Sequence, residues 1–404
     1  MRSALAPLAH RDFRLLFLGR AVSFAGSAMA PVALAFAVLE LGGSATDLGI
    51  VLTVAILPQL LFLLIGGVVA DRLPRHLIMV SSNALSGLAQ GAAAVLLLTG
   101  RAEIWHLAVI AVVRAVASSF FFPAQQGIVP QLVPRAMLQP ANVLLRLTLN
   151  VTTIGGAALG GIVVAAAGPG WAIGFDALTY LAAAAILLPM RVAAPARDAA
   201  TSFVMELRDG WDEFRARTWL WVVVIGFAFS NGASSAATQV LGPIVAKEAL
   251  GGASVWGLAL AGQGVGLVLG GLLALRYRPS RPLRSGVAVM LLVVPPLALL
   301  ALEAPWPALA ASMVGGGIAI ELFSVFWDTS LQGHVPNAVL SRVYAWDALG
   351  SLVLMPAAFA VVGPVSAAIG ITATLWACAA IVAVAITAQL ASGSVRQLPR
   401  PDLG

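Results

Sequence analysis

The feature that leaves this chain least freedom is a series of twelve apolar runs, each long enough to cross a bilayer and separated by short polar breaks. A hydrocarbon core of roughly 30 Å takes about 20 residues of helix to cross. Within it every backbone N–H and C=O must be satisfied inside the chain, which an uninterrupted helix does for itself. The runs lie near 14–39, 48–70, 77–99, 104–123, 143–167, 171–190, 218–246, 255–275, 285–302, 306–328, 346–368 and 370–391. They predict an all-α membrane protein of twelve transmembrane helices. Only 10% of the residues are charged, against about 25% in a soluble domain, so little chain remains for a soluble module. The first run is too long for a signal-peptide core and shows no clear cleavage site, so it is read as a span.

The same residues exclude several functions. One cysteine, Cys378, allows neither an intrachain disulfide nor a cysteine zinc site. His10, His76, His106 and His334 are scattered, with no second histidine at i+4 to make a metal face. No metal, no cofactor and no enzyme chemistry is expected. The net charge of +6 comes without a basic block or a module to carry one, so no nucleic-acid partner is expected. Its distribution has a membrane explanation. Of the 23 basic residues, 18 fall in the terminal segments and even-numbered loops; only Arg101 and Lys247 fall in the opposite loops, and Arg20, Arg114 and Arg146 lie within spans. The positive-inside rule then puts both termini of a multi-pass cell-membrane protein in the cytoplasm.

The longest connection divides the spans six and six. Residues 1–190 form an N-terminal bundle, 191–217 a cytoplasmic linker, 218–392 a C-terminal bundle and 393–404 a tail. In the linker, Phe203, Leu207, Trp211 and Phe214 fall on one helical stripe among charged residues, which predicts an amphipathic helix resting on the inner headgroups. An internal duplication supports two parallel repeats. Val133-Pro134-Arg135-Ala136-Met137-Leu138 shares V-P-x-A-x-L with residues 335–340, and the G-G-x-x-A-x-R of Gly66 to Arg72 recurs at Gly270 to Arg276.

The loop after span 2 reads Gly66-Gly67-Val68-Val69-Ala70-Asp71-Arg72-Leu73-Pro74-Arg75-His76. It resembles the G-x-x-x-D-R-x-x-R loop of the major facilitator superfamily. The opening Asp12-Phe13-Arg14, the Gly19-Arg20-x-x-Ser23 that follows, and the stretches Pro130 to Pro134 and Ser341 to Tyr344 resemble its drug and siderophore efflux branch. The resemblance implies two six-helix repeats around a central cavity, a monomer, and a conformational latch formed by Gly67, Asp71, Arg72 and Arg75. Pro74 stands where the family usually has glycine. Span 5 carries Gly156, Gly160 and Gly161 in a pattern similar to the antiporter motif, with Ala157 in place of its proline; helix packing is the better reading of these glycines.

Polar side chains repeat at helical spacing on spans 1, 4, 7 and 10: Arg20, Ser23 and Ser27; Arg114, Ser118 and Gln125; Asn231, Ser234 or Ser235, and Thr238; Glu321, Ser324 and Asp328. The resemblance implies that these spans line the cavity, although serines can also bond back to their own helix. Arg114, roughly 15 Å deep, requires a partner or water, for transport or for structure alone. Among intramembrane acids, Glu321 is the first candidate for proton coupling and Asp176 the next, with Asp328 and Asp347 expected at the inner surface. The expected function is export of a small amphipathic molecule, such as a drug-like metabolite or a siderophore, by proton antiport through alternating access. An importer or lipid flippase of the same fold is the nearest rival.

The orientation is testable by labelling intact cells with an impermeant thiol reagent after Cys378 has been replaced. Ala102→Cys is expected to react and Ser280→Cys to stay protected; the reverse pattern would overturn both the orientation and the repeat assignment.

Overall fold

The computed structural model describes residues 5–70, 74–134, 137–192, 203–336 and 339–400. Among these, twelve helical segments are long and apolar enough to span a membrane. Spans 1 to 6 are Arg11–Glu40, Ala45–Phe62, Arg75–Leu98, Ile104–Phe121, Pro140–Ala167 and Pro169–Leu187. Spans 7 to 12 are Thr218–Leu250, Ala253–Arg276, Pro282–Ala301, Trp306–His334, Arg342–Ile369 and Ile371–Ala391. The linker contains one further helix, Phe203–Arg215. The chain divides into two compact units: Met1–Asp198 with Gly251–Ala261, and Ala199–Leu250 with Gly262–Gly404.

The duplicated sequence marks duplicated geometry. Span 4's helix ends at Leu132 with Val133 extended, and span 10 ends at His334 with Val335 extended. Each valine precedes a proline, whose ring disfavours the helical conformation of the residue before it. The next helices then start at Leu138 and Leu340, at matching places in the motif. A second correspondence joins spans 5 and 6 through Gly168 (φ 89°) and spans 11 and 12 through Gly370 (φ 88°). Single-residue connections at positive φ admit glycine with little strain, so consecutive spans reverse there without a loop.

Proline also breaks spans internally. Span 1 consists of Arg11–Ser27 and Ala30–Glu40, with Pro31 in the first turn of the second piece. A proline lacks the N–H the ladder needs and its ring collides with the carbonyl four residues back. Span 9 is interrupted by a 3-10 turn at Met290–Val293 before Pro295 and Pro296, and span 7 carries π-helical turns on either side of Gly242–Val245, which contains Pro243.

The break in span 1 is where span 5 comes closest. A Cβ on Gly156 would lie 2.3 Å from the Ala28 Cβ, and one on Gly160 would lie 2.9 Å from the Met29 Cα. Gly161 faces the start of span 8, where a Cβ would meet the Ala253 carbonyl oxygen at 2.5 Å. Without a hydrophobic drive between helices in lipid, such close approach supplies the packing that holds them.

In the second unit an aromatic column runs through the interior. Phe227 stacks on Phe323 at 4.2 Å, Phe323 on Trp327 at 5.9 Å, and Trp219 meets Trp327 edge-on at 5.6 Å. The linker helix lies beside it, with its C-terminal half in contact with the bundle. Phe214 is buried, Trp211 packs 4.9 Å from Trp346, and Gly210 lies against Arg342. Arg217 donates from Nε to the His334 carbonyl at 3.2 Å, tying the end of the linker to the end of span 10.

Gly160→Ala should lower thermal stability in detergent by about 1–3 kcal/mol, because backbone has to move. Gly155→Ala, just before the motif and facing open space, should leave stability unchanged or raise it by up to about 1 kcal/mol. Equal melting temperatures for the two variants would refute the packing.

Candidate functional site

Among the described residues of the first unit, the most deeply buried acid is Asp176 on span 6, with no exposed surface. A carboxylate in a membrane interior must find its partners inside the protein. Gln90 of span 3 donates to Oδ2 at 2.7 Å. The Arg114 guanidinium of span 4 stands 3.8 Å from the same oxygen, close enough for charge pairing though longer than a hydrogen bond. The Ser27 hydroxyl of span 1 lies 3.3 Å from Oδ1 and 2.9 Å from the Ser23 carbonyl, so its one hydrogen has two acceptors to choose between. Tyr180, one turn along span 6, stands beside Arg114 and Ser27. Four spans thus converge on one carboxylate.

Small residues make the convergence possible. A Cβ on Gly26 would fall 2.0 Å from the Thr179 hydroxyl and 2.8 Å from the Asp176 Cα, and one on Gly87 would fall 2.8 Å from Leu181. Spans 1 and 3 therefore press against span 6 at the level of the acid. The helix of span 1 breaks just after Ser27, and its second piece, from Ala30, continues beside span 6. Between Gln90, Arg114, Ala30 and Ile173 lies a cavity of about 20 Å³, room for one water touching two polar groups.

The other polar positions divide. Arg20 and Ser23 are buried; Arg20 lies over the Phe24 ring at 5.0 Å, and its Nε has no hydrogen-bond partner among the described residues. Ser118 and Ser119 both donate back to the Ala115 carbonyl, Thr238 to Ser234 and Ser324 to Ile320. Asn231 instead reaches across to the Ser351 carbonyl at 3.1 Å. Glu321 is half-buried, facing Gly270 and Gly271 of span 8. Asp328 and Asp347, expected at the inner surface, are half-buried and held: Tyr344 donates to Asp328 at 3.0 Å, and Trp327 and Ser351 donate to Asp347 at 2.8 and 3.2 Å. Of the loop motif, Arg75 opens span 3 and Gly67 lies within the helix Ala45–Ala70, while Asp71 and Arg72 lie outside the described residues.

Sequence reasoning passed over Gln90 and Tyr180. Span 3 nevertheless carries a legible signal, since Ser82, Ser86 and Gln90 recur every four residues and all three are buried.

Comparison with known proteins gives this arrangement its setting. The family model described as transmembrane secretion effector matches residues 2–400. The multidrug efflux pump Tap of Mycolicibacterium fortuitum is 32% identical over 160 residues, which cover 38% of this chain and 39% of that one. The enterobactin exporter EntS of Salmonella choleraesuis is 24% identical over 360 residues, 85% of each chain. Among solved structures, the nucleoside transporter NupG superposes with a TM-score of 0.74 at 13% identity, over 94% of this chain and 98% of that one; at that identity the likeness concerns the fold alone. A match across nearly the whole length places the chain in the transmembrane secretion effector family of major facilitator superfamily membrane transporters.

Proposed function

We propose that the protein exports a small amphipathic molecule, of the drug-like or siderophore class, in exchange for protons through alternating access. The direction rests on the efflux relatives, the multidrug pump and the enterobactin exporter. The coupling rests on one observation, the fully buried Asp176 joined to Arg114, Gln90 and Ser27. Of the two charged members only the carboxylate can exchange a proton under physiological conditions, since arginine stays protonated. With Asp176 ionised the pair is neutral overall. Protonation leaves the half-buried Arg114 without its anion, and an unmatched charge is the more costly the further it is enclosed. Each proton bound or released therefore changes the energy of any arrangement that keeps Arg114 enclosed, which is the differential interaction a two-state transporter requires. Glu321, half-buried with its side chain against span 8, is the second candidate.

The test uses proteoliposomes with an imposed pH gradient and a panel of lipophilic drugs and catecholate siderophores. Asp176→Asn is expected to lose gradient-driven uphill transport by about two orders of magnitude, the scale of a displaced proton-transfer group, while downhill exchange persists. Glu321→Gln should retain gradient-driven transport. Because the asparagine variant leaves Arg114 without its anion, the Asp176→Asn/Arg114→Gln double variant checks folding. Full uphill transport by Asp176→Asn would exclude Asp176 as the coupling group, and uptake instead of efflux with the gradient would favour the importer reading.

A further inference from the structure

At the basic end of spans 8 to 10 the second unit contains a cleft of about 520 Å³. Its mouth carries Arg281, Arg284 and Ser285 from the start of span 9 and Tyr277 from just past span 8. Arg281 and Arg284 are three residues apart, one helical turn, so their side chains share a face. Neither forms an ion pair with another described residue. The tail adds to the same rim, since the Arg400 N–H donates to the Ser280 carbonyl at 3.0 Å. The deeper walls are apolar: Val289 lies seven residues into the span 9 segment from Pro282, about 10 Å by helical rise, opposite Phe326, against which the Tyr277 ring packs at 5.9 Å.

Topology alone explains arginines in this loop, but it does not explain a cleft that passes from two guanidinium groups to an apolar floor. Guanidinium pairs are suited to bidentate binding of phosphate oxygens, and basic pockets between membrane helices hold anionic headgroups. We infer that this cleft binds an anionic phospholipid, its phosphate on Arg281 and Arg284 and the start of one acyl chain over Val289 and Phe326. Free phosphate shares the arginine chemistry but gains nothing from the floor.

Full-length protein in neutral detergent is titrated with phosphatidylglycerol, phosphatidylcholine or inorganic phosphate, with bound lipid counted by native mass spectrometry and stability followed by thermal unfolding. Phosphatidylglycerol is expected to bind and stabilise, phosphatidylcholine to do neither, and inorganic phosphate to neither stabilise nor displace the lipid. Arg281→Gln/Arg284→Gln should weaken phosphatidylglycerol binding about tenfold or more, the scale of two surface arginines against anionic lipid. Arg281→Lys/Arg284→Lys, which keeps the charge but not the bidentate fork, should bind more weakly than the wild type and more tightly than the glutamine double variant. Ala288→Trp, which fills the floor and keeps every charge, should weaken the lipid as well. Wild-type lipid affinity in the glutamine double variant or in Ala288→Trp would overturn the site, and stabilisation by inorganic phosphate equal to that by lipid would reduce it to a free-anion site.

Discussion

A carboxylate without water is the constraint around which the first unit is built. Asp176 has no exposed surface, and a charge in that position is tolerable only with partners from the protein. Meeting the requirement takes four helices: the acid from span 6, an amide from span 3, a guanidinium from span 4 and a hydroxyl from span 1. The backbone accommodates them through Gly26 and Gly87, where a methyl group would collide with span 6. The close spacing of spans 1, 3 and 6 and the placement of Arg114 are thus facets of one electrostatic problem.

The second unit solves its packing differently. Its interior is held by the aromatic column of Phe227, Phe323, Trp327 and Trp219, and two of its half-buried acids are engaged by neutral donors: Asp347 by Trp327 and Ser351, Asp328 by Tyr344. Neutral donors satisfy lone pairs without adding a countercharge, whereas an ion pair lost on one side leaves the other exposed to the full cost of burial. A perturbation that neutralises one group has greater leverage in the first unit.

Much of this was legible in the sequence. Apolar length is a direct image of membrane thickness, so the twelve spans and their approximate limits emerge from residue hydropathy alone, and the proline and glycine punctuation locates the repeated turns. Arg114 was readable as a group needing a partner, because a lone cation in a span is expensive. Which acid answers it was not readable: depth along a helix follows from rise per residue, but the angle around the bundle depends on how spans pack. Equal helical spacing likewise does not distinguish Ser118, which bonds to its own helix, from Ser27, which faces Asp176. The linker's stripe was visible, but the contact of Trp211 with Trp346 was not, because it depends on how the linker meets the bundle.

The two repeats show where the chemistry entered the scaffold. Val133 and Val335, and Gly168 and Gly370, are both 202 residues apart and sit in matching conformations. The same offset carries Asp176 onto Cys378 and Arg114 onto Gly316. The positions that turn the backbone correspond in both repeats, because every six-span bundle must reverse direction at those places, whereas the charged pair has no counterpart. Its two members also depend on each other: without Arg114 the fully buried Asp176 carboxylate loses its countercharge, and without Asp176 the half-buried Arg114 loses its anion. Joint presence or joint absence avoids both costs. The second repeat has the absence, with a buried cysteine and a glycine at the two positions, so this charged pair belongs to one half of a duplicated scaffold.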